Sequence, residues 1–148
     1  MNEAPDEFVQ HWLGPVPLGR ALDVGAGRGE VAVWLASQGF AVDAVESRWR
    51  LYLDLWRASR QTAVRPVRRD VRRLLPPSGA YTLVTALAVL HFFRPTELGL
   101  VCSRLSSSLA PGGLLLATAF TTDDPGFSLL KQSHAFEVEP NTYRLPKP

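Results

Sequence analysis

Residues 21–29 read Ala-Leu-Asp-Val-Gly-Ala-Gly-Arg-Gly, and this stretch decides the fold. The apolar run 21–24 predicts a short strand, and Glu30 begins an amphipathic segment, 31–36, that predicts a helix. The turn between them contains three glycines, Gly25, Gly27 and Gly29. Because glycine has no Cβ, such a turn can be tight and can let the backbone approach a ligand. A strand, a glycine-rich turn and a helix form a layout that binds nucleotide-like ligands.

This stretch resembles the first motif of the class I S-adenosylmethionine-dependent methyltransferases, in which an acidic residue precedes three alternating glycines. Asp23 is the acidic residue here. The nearest rival is a Rossmann dinucleotide site, Gly-x-Gly-x-x-Gly, which would need glycine at position 30, where Glu30 stands. A carboxylate at Asp23 attracts the ammonium of a methionine moiety and repels a pyrophosphate. Taken alone, the glycine turn also fits a purely structural role.

Length and composition predict one domain over residues 1–148. The hydrophobic content of 46% and the mean hydropathy of +0.00 are typical of a globular protein with a sizeable core. The formal net charge is +2, and Cys102 is the single cysteine, so an internal disulfide is excluded. The first residues lack the pattern of a signal peptide, and the apolar stretch 83–93 is too short to span a bilayer as a helix. We therefore expect a cytoplasmic protein without a membrane segment.

Three further features follow the glycine loop at the spacing of this family. Glu46 ends the predicted second strand, where a carboxylate can accept hydrogen bonds from both hydroxyls of a ribose. Asp70 follows the predicted third strand, 64–67, at the position where the family's acidic residue accepts from the adenine amine. Pro-Gly-Gly at 111–113 leads into the predicted fifth strand, 114–120. The resemblance therefore covers about residues 18–120.

The resemblance implies an S-adenosylmethionine site at the ends of the first four strands. Its expected members are Asp23, Gly25, Ala26, Gly27, Glu46, Ser47, Asp70, Val71, Leu87 and Ala88. Backbone carbonyls near Leu87 and Ala88 are expected to take the ammonium of the methionine end. The alternatives stay open that Glu46 is an ordinary surface glutamate and that Asp70 only pairs with a neighbouring arginine.

The fold implied by the resemblance is α/β, with a Rossmann-like, mostly parallel sheet in the order 3-2-1-4-5, flanked by helices. The family has seven strands, so strands six and seven are expected to be missing or replaced by a hairpin in the tail, 121–148. Apolar side chains alternate around 139–142 and predict that hairpin. We expect the tail to cover the apolar edge of strand five, within one molecule or by exchange in a homodimer. The alternative is a shortened chain with a partly loose tail.

The resemblance implies methyl transfer from S-adenosylmethionine to a small-molecule acceptor, with the tellurite-resistance-type branch as the closest in appearance. His91, after the predicted fourth strand, is the candidate catalytic residue, and it either lines the acceptor mouth or caps the turn. No His, Cys and carboxylate cluster has the spacing of a metal site. The alternative function is a shortened, non-catalytic domain that binds the cofactor or dimerises.

Seven arginines fall within residues 57–73. They predict either a patch for nucleic acid or an acidic substrate, or a solvated face. No aromatic residue interleaves with them in the sequence, and Trp49, Leu53 and Trp56 share one face of the preceding predicted helix. We expect that face to be core rather than a platform for bases. Nucleic acid is therefore the partner that the sequence ranks last.

Overall fold

The computed structural model describes residues 7–132, 136–139 and 142–144. Its helices are α1 (Glu7–Leu13), α2 (Glu30–Ser37), α3 (Trp49–Ala58), α4 (Pro95–Ser107) and α5 (Pro125–Gln132). Its strands are β1 (Arg20–Val24), β2 (Ala41–Glu46), β3 (Val64–Arg68), β4 (Tyr81–Leu87), β5 (Leu109–Thr118), β6 (Phe136–Glu139) and β7 (Thr142–Arg144). Short 3-10 helices follow β3 and β4, at Val71–Arg73 and Leu90–Phe92. Within the described ranges, no helix combines the length and the apolar character needed to cross a membrane.

Five parallel strands form the main sheet in the order β3-β2-β1-β4-β5, which confirms the predicted Rossmann-like α/β fold. Strand β1 pairs with β2 on one side and with β4 on the other, so the strand order reverses between β1 and β4. In open α/β sheets, ligands bind outside the carboxyl ends of the strands at such a switch point. The glycine loop, 25–29, follows β1 at this place.

The sheet is buried on both faces. On one face, α1, α2 and α3 contribute Val9, Leu35 and Leu55, which are fully buried. On the other face, α4 contributes Val101 and Leu105. Strands covered on both faces are expected to be near-continuous apolar runs, as β1 and β4 are. The two cores hold the carboxyl ends of the strands in fixed positions.

Helix α3 turns a different face to the core from the one predicted. Leu55 is fully buried, whereas Trp49 and Trp56 are 53% and 44% exposed. Apolar side chains occupy an arc of this helix that is wider than one stripe, and its charged residues share the opposite side, so its periodicity allows more than one buried stripe. Leu55 packs against Gly29, where an added Cβ would lie 2.7 Å from the leucine Cδ1, and this close approach selects the stripe. The prediction that both tryptophans belong to the core was wrong.

Strand β5 begins at Leu109, earlier than the predicted residue 114. Its pairing with β4 shifts register between Tyr81 and Leu83, and this irregularity takes the segment 111–113 into the strand. The Pro-Gly-Gly segment at 111–113, predicted as a turn before the strand, therefore lies inside β5 at an irregular position.

Strands β6 and β7 pair antiparallel, which confirms the strands of the predicted hairpin. Residues 140–141, in the predicted turn, lie outside the described residues. In the part of the chain that the structure describes, the hairpin is a separate two-stranded sheet that is not hydrogen-bonded to β5. The described strands of the tail therefore do not extend the main sheet, and exchange with a partner stays a prediction.

A buried carboxylate that the sequence analysis did not single out ties its own strand to three others. Asp43, in β2, accepts hydrogen bonds from Arg65 of β3 at 2.7 Å, from Arg20 of β1 at 2.7 Å and from the Tyr81 hydroxyl of β4 at 2.8 Å. Burial acts to raise the pKa of Asp43, but these three donors outweigh it and hold the pKa below its ordinary value. Burial and the bond to Asp43 raise the pKa of Tyr81 to about 12.

We expect Asp43→Asn to lower the free energy of unfolding at pH 7 by about 1–3 kcal/mol, because a nearly buried acceptor loses charge-assisted bonds. Asp54→Asn is the matched control, because Asp54 is 41% exposed and pairs only with exposed arginines. The depressed pKa of Asp43 stabilises the fold above the unfolded pKa and loses this effect as the pH falls. Urea denaturation of both variants at pH 7 and at acidic pH checks this, and equal losses in the two variants would contradict it.

Candidate cofactor site

A cleft of about 350 Å³ opens at the carboxyl ends of the strands. Six of the ten predicted cofactor residues line it: Gly25, Glu46, Ser47, Asp70, Val71 and Ala88. The other lining residues, which the sequence analysis did not assign to the site, are Arg48, Arg72, Val89, Phe92 and Phe93. The four remaining predicted residues are close in sequence to residues that line the cleft. Asp23 and Leu87 lie in the strands β1 and β4, and Ala26 and Gly27 lie in the glycine loop.

The glycine loop is held by its backbone. The N–H groups of Gly25 and Ala26 donate to the carbonyl of Val45 at 2.9 and 3.0 Å, which fixes the loop to β2. Gly25 and Gly27 have φ values of +71° and +58°, a region that favours glycine. A Cβ on Gly25 would lie 2.6 Å from Val89 Cγ2, but a Cβ on Gly27 would have no atom within 4 Å. Packing therefore explains Gly25, whereas Gly27 borders open space.

Glu46 links the glycine loop to the end of β2. Its side chain is 3% exposed, so the alternative that it is an ordinary surface glutamate was wrong. Oε2 accepts from the N–H of Gly27 at 3.0 Å, and Oε1 accepts from the N–H of Arg48 at 2.8 Å. A carboxylate has about four lone-pair sites, so acceptor capacity is left for a ligand hydroxyl.

Asp23, two residues before the cleft-lining Gly25, has one oxygen unpaired among the described residues. Its Oδ1 accepts from the hydroxyl of Thr85 at 2.7 Å, but Oδ2 is buried without a partner among the described residues. Burial raises the pKa of Asp23 to about 7, the bond from Thr85 opposes this shift, and the charge of Glu46 adds to it. A buried acceptor without a donor is unfavourable and fits a site completed by a ligand. The sequence analysis did not single out Thr85.

The raised pKa of Asp23 makes the ligand-free protein less stable as the pH rises. Between about pH 4 and pH 7 the folded chain binds more protons than the unfolded chain, so the free energy of unfolding falls, by on the order of 2 kcal/mol from pH 5 to pH 8. We expect Asp23→Asn to remove this fall, because the amide keeps an oxygen for Thr85 and does not ionise. Urea denaturation at the two pH values checks this, and parallel profiles for the two proteins would contradict it.

Asp70 lines the cleft but is already paired. Its Oδ2 accepts from Arg72 Nη2 at 2.6 Å, and its Oδ1 accepts from the backbone N–H of Arg72 at 2.9 Å. The hydrogen bond from the Arg72 side chain is the main cause that lowers the pKa of Asp70. The alternative that Asp70 pairs with a neighbouring arginine is thus realised, and the pair borders the cleft through both residues.

Ala88 adopts an unusual backbone conformation at the end of β4. Its φ is +51°, in the left-handed region that residues other than glycine rarely adopt. Its N–H donates to the carbonyl of Thr118 in β5 at 3.0 Å and to the Thr118 hydroxyl at 2.9 Å. These bonds hold Ala88 at the cleft, where the sequence predicted it.

His91 joins the ends of β4 and β5. Its ring lies 4.3 Å from the ring of Phe92 and 4.6 Å from the ring of Phe120, between centroids. Its Nδ1 accepts from the backbone N–H of Phe120 at 3.4 Å, and burial lowers its pKa. A neutral imidazole that accepts at Nδ1 carries its proton on Nε2 and presents a donor there. This geometry favours a role in positioning over one as a general base.

The comparisons with known proteins agree with this geometry. A family model described as a methyltransferase domain matches residues 21–113, more than half of the chain. A comparison with curated protein sequences found no match.

Solved structures share the fold at low identity. A SAM-dependent methyltransferase from Leishmania major is 19% identical, with a TM-score of 0.68 over 74% of this chain and 46% of that chain. A protein from Pyrococcus horikoshii OT3 is 24% identical, with a TM-score of 0.70 over 85% of this chain and 57% of that one. A phosphoethanolamine N-methyltransferase from Haemonchus contortus, solved with S-adenosylhomocysteine, is 23% identical, with a TM-score of 0.69 over 94% and 32%. The chain therefore spans about half the length of the first two structures and a third of the last.

Proposed function

Because the chain belongs to the family of methyltransferase domains, we propose that it transfers a methyl group from S-adenosylmethionine to a small-molecule acceptor. S-adenosylmethionine is the cofactor of this family, and its sulfonium supplies the methyl group for in-line displacement. The observation that carries the proposal is the buried Asp23 Oδ2 at the switch point of the sheet, which has no partner among the described residues. The tellurite-resistance-type branch stays a prediction.

The residues at the cleft suit the chemical groups of this cofactor. We assign Asp23 to the ammonium, because a cationic group would satisfy Oδ2 and lower the raised pKa. We assign Glu46 to the ribose hydroxyls, since its oxygens keep free acceptor sites at the glycine loop. Asp70 and Val71 border the same cleft and are assigned to the adenine. Leu87 and Ala88 at the end of β4 complete the methionine end.

The acceptor end lies beyond β4 and β5. Phe92 and Phe120 are 70% and 64% exposed, and both contact His91. We assign these three rings to the wall that holds the acceptor and excludes water, with His91 positioning Phe120 through its backbone bond. Alignment of the acceptor with the methyl group then supplies most of the catalysis, so the role of His91 as catalytic base is replaced by that of a positioning residue.

Calorimetric titration tests the cofactor first. S-adenosylmethionine and S-adenosylhomocysteine are expected to bind, and NAD is expected not to bind. A screen of small acceptors with methyl-labelled cofactor then tests transfer, detected as labelled product. Binding of NAD alone, or of none of the three, would contradict the proposal.

A second candidate is a non-catalytic domain that binds the cofactor or dimerises. The observation that favours dimerisation is that β5 is hydrogen-bonded to one neighbouring strand, β4, in the described residues. The edge of β5, which is not hydrogen-bonded to the hairpin in the described residues, is then the proposed dimer contact. Cofactor binding without transfer to any acceptor, together with a dimer in sedimentation, would favour this candidate.

A further inference from the structure

Positive charge is concentrated in one fifth of the chain. Residues 47–75 contain nine arginines and two aspartates, a formal charge of +7, although the whole chain carries only +2. The other 119 residues therefore carry −5. Charge separated in this way points to a polyanionic partner rather than to general solubility.

Most of these arginines are not neutralised by carboxylates. The two acids of the segment are already paired: Asp54 with Arg57 at 3.1 Å and Asp70 with Arg72 at 2.6 Å. Five arginines of the segment have no carboxylate within 4 Å in the part of the chain that the structure describes: Arg50, Arg60, Arg68, Arg69 and Arg73. Their charge is available to an external anion.

Two exposed tryptophans lie among these arginines. The guanidinium carbon of Arg68 lies 4.9 Å from the ring centroid of Trp49, and that of Arg60 lies 4.8 Å from the ring centroid of Trp56. The tryptophans are seven residues apart in α3, so they project two turns apart, roughly 10 Å along the helix. The sequence ranked nucleic acid last because no aromatic residue interleaves with the arginines along the chain and the overall charge is near balance, whereas the structure places two exposed rings of α3 against arginines.

A groove of about 410 Å³ continues this surface, and it is lined by Ser47, Arg68, Arg69, Asp70 and Arg73. Ser47 and Asp70 also line the cofactor cleft, so the two depressions are neighbours. We call the surface formed by Trp49, Trp56, Arg60, Arg68, Arg69 and Arg73 the basic–aromatic face.

We propose that the basic–aromatic face binds single-stranded nucleic acid. Arginines of a positively charged groove track the phosphates, and bases stack on exposed aromatic rings, in proteins that bind single strands without sequence preference. The face lies beside β3, at the opposite edge of the sheet from β5 and Phe120. The nucleic acid is therefore a docking partner and not the methyl acceptor, so this inference stands independently of the proposed function.

Fluorescence anisotropy with a labelled oligouridylate of about twelve nucleotides, within the range of single-strand sites, tests the proposal. We expect Trp49→Ala to weaken binding by roughly tenfold or more, the effect of losing one stacked base. Trp12→Ala is the matched control, because Trp12 is 47% exposed in α1 and no arginine of the described residues lies over its ring, so its loss should leave the affinity unchanged.

Salt dependence tests the charges separately. Each phosphate contact to a single strand adds about 0.7 to the size of the negative slope of log affinity against log salt. Arg69→Glu with Arg73→Glu removes two contacts, so the size of the slope should fall by more than about one. Arg94→Glu with Arg144→Glu, an equal charge change on elements that do not form the face, should reduce the size of the slope less. If the double variant at Arg69 and Arg73 does not fold, as judged by circular dichroism, the pair of tryptophan variants still decides.

Equal affinities of the Trp49 and Trp12 variants, or binding of a duplex as tight as that of the single strand, would overturn the proposal. Either result is expected if the arginines serve only to keep the edge strand β3 from pairing with another chain, because they would then form no site for unpaired bases. Titration with S-adenosylhomocysteine separates the two proposals. A chain that binds the oligouridylate but not S-adenosylhomocysteine would refute the proposed function and support this inference. A chain that binds S-adenosylhomocysteine but not the oligouridylate would support the proposed function and refute this inference.

Discussion

Replacement of Gly27 by alanine is expected to lower the affinity for S-adenosylhomocysteine by roughly 10- to 100-fold, the range for inserting a methyl group into an occupied, close-packed space. No protein atom opposes the added methyl group, because a Cβ at Gly27 would meet no atom within 4 Å. The expected loss of affinity therefore comes from contact between this methyl group and the bound ligand. The backbone N–H of Gly27 also donates to Glu46, so the loop and the proposed ribose ligand move together.

Gly79→Ala is the matched control for this effect. Gly79 has a φ of +64°, against +58° for Gly27, and a Cβ there would also meet no atom within 4 Å. Both variants therefore lose about 1 kcal/mol of stability from the left-handed backbone, and only the ligand distinguishes them. Calorimetric titration measures the affinities, and thermal denaturation measures the shared loss. Equal affinities would mean that the glycine loop is not the site.

Replacement of Glu46 by alanine is expected to weaken S-adenosylhomocysteine binding by about 100-fold, since charge-assisted hydrogen bonds to two hydroxyls are lost. It is also expected to destabilise the protein by about 1–2 kcal/mol, because the N–H groups of Gly27 and Arg48 lose their acceptor. Glu46→Gln should have a smaller effect on both, because the amide keeps one oxygen.

Glu30→Gln is the charge-matched control, because Glu30 is exposed at the start of α2 and does not line the cleft. It should leave both the affinity and the stability close to those of the unchanged protein. Calorimetry and urea denaturation together separate the two effects of Glu46→Ala. A variant at Glu46 that loses stability but keeps its affinity would restrict this residue to holding the loop.

Local motifs of the sequence were enough for much of the cleft, and the family resemblance that they carry implied the fold. Alternating glycines after an apolar run determine a tight turn at the end of β1, because only glycine adopts positive φ without strain. Glu46 ends β2 and Asp70 follows β3, and the carboxyl ends of parallel strands meet at one edge of the sheet. The cleft lined by Gly25, Glu46 and Asp70 could therefore be predicted without knowledge of any long-range contact.

Roles that depend on partners distant in the chain could not be predicted. The pairing of Asp23 with Thr85 joins residues 62 positions apart, and it leaves the second oxygen of Asp23 unpaired. The hydrogen bond from the backbone N–H of Phe120 to His91 spans 29 positions, and it determines which ring nitrogen of His91 accepts and which one donates. No local pattern encodes these contacts, because they arise from the register between neighbouring strands.

The sequence by itself determined the glycine loop and the acids at the strand ends, since these follow from backbone geometry and from hydrophobic periodicity, and the strand order was implied by the family resemblance that these motifs carry. Only the tertiary structure decided which stripe of α3 is buried, and hence that Trp49 and Trp56 are exposed beside arginines. The physical reason is that an apolar helix surface allows several faces to pack, and the close contact of Leu55 with the glycine loop selects one of them.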